Sequence, residues 1–151
     1  MAQQLCLRET RPLLIDGGIS GADSVARAPL VIGVVKSHRT LYAEDDALAC
    51  VFALGRGERS SVFRVTSPKR TAVASWYLRM RDRRAQDPMW GLVRVEIAHT
   101  DGADDGIGQR ADEVSRWILA EAMPIALPDG RWDKMVYGIR DCEEFLKAIA
   151  S

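Results

Sequence analysis

Pro12-Leu-Leu-Ile-Asp-Gly-Gly18 and the apolar run Pro29-Leu-Val-Ile-Gly-Val-Val-Lys36 are the stretch whose reading decides the fold. The first is a short strand that ends on a carboxylate, Asp16, with two glycines beside it that let the chain turn sharply. The second is apolar at nearly every position, the pattern of a strand covered on both faces. An acid closing an interior strand is a common anchor for a metal ion in phosphodiester chemistry, and it is equally what remains where a strand stops at a turn.

From there the chain reads outward. Between the two runs, Gly17 to Ala28 is a loop of small residues, without the Gly-x-x-x-x-Gly-Lys-Ser/Thr spacing of a phosphate-binding loop. Residues 43–54 predict a helix: Glu44, Asp45 and Asp46 suit its positive end, Leu48, Val51 and Phe52 share one face, and Gly55 and Gly57 stop it. Three alternating strands follow at 61–65, 72–81 and 92–97. In the second, Ala74, Trp76, Leu78 and Met80 oppose Tyr77, Arg79 and Arg81; in the third, Val93, Val95 and Ile97 oppose Arg94 and Glu96. Short charged connectors make this an antiparallel meander.

The Gly- and Asp-rich loop 100–110 is expected to be exposed and mobile, and a helix is expected over 112–122. A last helix is signalled by the capping pair Asp141 and Glu144 and the stripe Cys142, Phe145, Leu146 and Ile149.

Composition bounds the function. A length of 151 residues fits one domain, with residues 1–11 as a lead-in and 12–151 as the folded unit. Lys plus Arg equals Asp plus Glu at 21 each, so any nucleic-acid or membrane surface must come from local clustering. Cys6, Cys50 and Cys142 are odd in number and widely spaced, and two histidines, His38 and His99, do not complete a zinc set. No apolar run is long enough to span a bilayer, and the polar start lacks a secretory pattern, so the expected location is cytoplasmic.

Two groups of residues are candidates for chemistry. Arg64, Arg79, Arg81 and Arg94 would face one side of the meander if it pairs as read. Their guanidinium forks match phosphate oxygens, with Tyr77 as a stacking surface; the alternative is a solvated outer face with Arg94 paired to Glu96. Lys36 would lie beside Asp16 if the first two strands are neighbours, where it would neutralise charge in phosphoryl transfer or simply reach to water. Tyr137 and Arg140 precede the last helix, whose N-terminus would face the same site. Cys142 is a small core residue in this reading, not a nucleophile.

Taken together, Leu-Leu-Ile-Asp-Gly-Gly at 13–18, Val-Ile-Gly-Val-Val-Lys at 31–36, Trp-Tyr-Leu-Arg at 76–79, Val-Arg-Val-Glu-Ile at 93–97 and the tyrosine at 137 resemble the C-terminal part of the NurA family of DNA-end-processing nucleases. The resemblance covers residues 12–150. It implies a mixed α/β, ribonuclease H-like partial domain and Mn2+ or Mg2+ as cofactor. It also implies DNA as substrate, a HerA-type hexameric ATPase as partner, and a homodimer.

Asp16 matches the family's later metal-binding aspartate and Tyr137 its site tyrosine. The family's earlier Asp-Gly-Ser strand and the glutamate that follows it have no counterpart, since this chain begins too late to contain them. The family's C-terminal histidine is also missing, in a region reading Asp141-Cys-Glu-Glu144, where Glu143 is the candidate substitute ligand. The expectation is therefore a nuclease-domain protein that is incomplete or weakly active alone. Two alternatives remain: a non-catalytic nucleic-acid-binding or assembly module, and a small-molecule enzyme using the Asp16 crevice. The expected core is a mixed sheet of about five strands, with the Asp16 strand and the Leu30 strand interior and helices on at least one face.

Overall fold

The computed structural model describes residues 11–38, 40–99, 106–123 and 148. Its elements are β1 (Leu13–Asp16), α1 (Asp23–Ala26), β2 (Val31–Val35), α2 (Asp45–Ala53), β3 (Phe63–Ser67), β4 (Arg70–Arg79), β5 (Leu92–Ala98) and α3 (Ile107–Glu121). The five strands form one mixed sheet in the order β1-β2-β5-β4-β3. β1 and β2 are parallel, joined by a crossover through α1, and every other neighbouring pair is antiparallel. The α/β class, the strand number and the mixed sense agree with the sequence reading.

The meander forms because Pro68-Lys69 makes a two-residue turn between Ser67 and Arg70, with proline fixing φ at the turn's first central position. It extends the sheet on one side of β2, which is interior. β1 is not: among the described residues its one neighbour is β2, so the expected interior strand is an edge strand. Its apolar residues are half-buried because they pack against the sheet's faces, which is a different requirement from having strands on both sides.

The register sorts residues onto two faces. Ile32, Val34, Ala74, Trp76, Leu78, Met80, Val93, Val95 and Ile97 line one, and Ala111, Val114, Ile118 and Ala122 of α3 pack on them. The other face has two apolar clusters. One joins Ala26 and Val25 of α1 to Val31, Val65 and Val73; the second joins Val51 and Phe52 of α2 to Tyr77 and Leu92. Both faces are covered, so the sheet is a middle layer.

α3 begins five residues before the expected start, absorbing part of the loop that was expected to be mobile. The small-residue loop after β1 contains the single turn α1. The predicted final helix lies outside the described residues except for Ala148, which is helical.

Candidate active site

Asp16 closes β1 opposite Val34, and Gly17 follows with a φ of +105°, a backbone geometry that favours glycine. The Gly17 N–H donates to Val34 O at 2.9 Å, so the chain leaves the strand while still bonded to β2. Lys36 is the first residue past β2. Because the strands are parallel and in register, the two ends coincide, and Lys36 Nζ lies 2.9 Å from Asp16 Oδ2. The side chains are 31% and 40% exposed, so both reach solvent. Sequence reasoning placed these two together correctly.

Beyond Asp16 the chain folds back onto the sheet. Ile19 is buried over the middle of β2, where Gly33 stands; a Cβ on Gly33 would lie 2.7 Å from Gly17 O and 3.0 Å from Ile19 Cγ2. The Ile19 N–H donates to Glu96 Oε2 at 2.8 Å, and Arg94 Nη2 donates to Glu96 Oε1 at 2.7 Å. Glu96 is 1% exposed. The Arg94 guanidinium also sits 4.6 Å above the Tyr42 ring. Sequence reasoning named Arg94 and Glu96 as possible partners but missed their hold on the Asp16 turn. The available signal was Gly33, a glycine inside an apolar strand, which marks close backbone approach.

The expected exposed arginine face is not formed, because α1, α2 and their connecting segments cover it. Arg79 is fully buried, and its guanidinium donates to the carbonyls of Leu54, Pro88, Trp90 and Phe52. That burial lowers its pKa from the ordinary value; the charge of Arg83 adds to the effect and Asp87 opposes it. Arg81 lies beyond the end of β4, is buried, and donates to Met80 O and to Ala122 O at the C-terminal end of α3. Arg94 is buried against Glu96. Arg64 is exposed, but it stands on edge strand β3 opposite Ala74, on the other face from Arg79 and Arg94. Tyr77 is fully buried and its hydroxyl accepts the Tyr42 N–H. Tyr137, Arg140 and Glu143 lie outside the described residues.

His38 is drawn toward the sheet by a hydrogen bond between Nε2 and Leu92 O at 2.8 Å. A cavity of about 300 Å3 lies between α2 and the β3–β4 hairpin, lined by residues including Tyr42, Val51, Phe63 and Tyr77. Neither Asp16 nor Lys36 is part of its lining, so it is separate from the strand-end site.

Among the described residues no three His, Cys, Asp or Glu side chains are grouped to hold a metal ion. Asp16 fits one corner of such a site and does not make one by itself, since two-metal hydrolysis draws on several carboxylates. Among the described residues no helix is long and apolar enough to cross a membrane. Comparison with known proteins finds no family model that matches this chain and no match among curated proteins.

Proposed function

We propose that this chain is a NurA-like nuclease-domain protein, ribonuclease H-like in its core and serving metal-dependent hydrolysis of DNA phosphodiesters in end processing. One observation carries the reading: an acid ends an apolar strand at the sheet's rim, open to solvent, with a lysine ammonium 2.9 Å away. In this reading Asp16 contributes a carboxylate to Mn2+ or Mg2+, and Lys36 sits where it offsets charge on a phosphoryl group. The described residues supply one ligand of a set, so no reaction step is written through an ion. Cleavage by this chain alone is expected to be weak or absent. A HerA-type hexameric ATPase and a second copy of the chain belong to the same proposal, as does a cytoplasmic location.

Calorimetry with Mn2+, alongside cleavage of single- and double-stranded DNA, tests it. Wild type should bind Mn2+, and Asp16→Ala should not. Absence of binding by wild type would remove the metal reading. Strong cleavage abolished by Asp16→Ala would instead show that the site is complete.

The second reading, a non-catalytic nucleic-acid-binding or assembly module, draws on β1 and β3, the two edges of the sheet among the described residues. Edge strands offer unpaired backbone groups for strand addition, and β3 carries exposed Arg64, Thr66 and Ser67. Sedimentation of Asp16→Ala, together with the salt dependence of its DNA binding, separates the two, because assembly and phosphate contact would survive that substitution.

A further inference from the structure

The buried carboxylate of Glu96 lies beneath the turn that follows Asp16, and three independent contacts converge there. It accepts the Ile19 N–H at 2.8 Å, a charge-assisted bond from the backbone. It is paired with Arg94 at 2.7 Å, and only 1% of the residue is exposed. Gly18 lies over it without a side chain: a Cβ there would stand 2.9 Å from Glu96 Oε2. On the neighbouring strand Gly33 lets the same turn press down, with Gly17 O and Ile19 Cγ2 in the space that a Cβ would fill. Few orientations remain for residues 17–19.

We infer that Glu96 is a positioning residue for the Asp16–Lys36 site: it fixes the Gly17–Ile19 turn from below and so sets where the Asp16 carboxylate stands at the strand end. That the turn is held follows from the geometry; what it is held for rests on the nuclease reading. Glu96 acts through the backbone of Ile19 and touches neither Asp16 nor Lys36 in the contacts described. Arg94 is paired with Glu96 and lies over the Tyr42 ring, so the support runs from the α2 side of the sheet to the strand end.

The test removes the ion pair as a unit, since removing one partner strands a buried charge. Arg94→Met/Glu96→Leu deletes the acceptor, and Arg94→Met/Glu96→Gln restores an oxygen at its position. Amide hydrogen exchange read by NMR reports on the Ile19 N–H, with β4 and β5 amides as the control for global folding. In the Leu variant the Ile19 amide should lose protection while the β4 and β5 amides keep theirs. Mn2+ affinity should fall by about 10–100-fold, the effect typical of losing a group that orients a metal ligand. The Gln variant should recover both.

A Leu variant with wild-type Ile19 protection and Mn2+ affinity overturns the inference. If wild type binds no Mn2+, the nuclease reading fails, and Ile19 exchange alone decides whether Glu96 holds the turn. Should the Leu variant not fold, Gly18→Ala crowds the same carboxylate without emptying the core. Reduced Ile19 protection in Gly18→Ala then supports the inference, and unchanged protection overturns it.

Discussion

On the face under α3, Trp76, Leu78, Val93, Val95 and Ile97 meet Val114 and Ile118, and within this apolar layer Trp76 Nε1 donates to Ser115 Oγ at 3.0 Å, while Arg59 and Arg81 bond to α3 at its two ends. On the opposite face the same strands place Ser75, Tyr77, Arg79, Arg94 and Glu96, all buried under α1, α2 and the turn after Asp16. Here the polar side chains are held by specific neighbours: four carbonyls for Arg79, Glu96 for Arg94, Val95 O for Ser75 Oγ, with Arg94 Nε the exception, buried without a hydrogen-bond partner among the described residues. The first face tolerates change by degree, because apolar burial is non-directional and scales with area. The second depends on pairs, because a buried polar group that loses its partner retains the full cost of desolvation. The candidate site is built on the second face's supports.

That contrast can be broken by mutation. The largest effect is expected for Glu96→Ala, which leaves Arg94 buried without its counter-ion, at a cost of about 3–5 kcal/mol in urea unfolding. Arg94→Met/Glu96→Leu should cost far less than the sum of the two single changes; strict additivity would mean that the face does not depend on pairing. Under α3, Ile118→Ala is expected to cost about 2–4 kcal/mol as a cavity, with no second substitution in the sheet that rescues it by charge matching. Gly33→Ala should destabilise by about 1–3 kcal/mol, since Gly17 O stands where the methyl group would go; a neutral result would show the turn free to move. The smallest stability change belongs to Lys36→Met, about 0–1 kcal/mol for a solvent-reaching ion pair. If the nuclease reading holds, that same substitution should still lower whatever Mn2+-dependent DNA cleavage wild type shows, separating site chemistry from fold stability.

Much of the architecture was legible in local pattern. β2, α2, β4 and β5 stand within a few residues of where periodicity put them. The meeting of Asp16 and Lys36 was legible on the condition that the first two strands are neighbours, and the structure meets that condition: β1 and β2 pair in parallel and their ends coincide. The arginines were misplaced for a physical reason. Alternation correctly reports that Tyr77 and Arg79 share a strand side opposite Trp76 and Leu78, with Arg94 on the matching side of β5, but it carries no information on whether that side is covered. A polar side next to an apolar one looks the same in sequence whether water or α2 lies beyond it.

By itself, then, the sequence determined the strands and the meander, since these follow from side-chain periodicity and short connections, and it paired the acid with the lysine only on the condition that the first two strands are neighbours. Tertiary structure alone decided that β1 is an edge strand among the described residues, that Arg79, Arg81 and Arg94 are interior donors, and that Glu96 bonds the turn beyond Asp16. Each of those outcomes depends on which distant segments pack over a strand, and that is settled by burial and hydrogen-bond pairing across the whole chain.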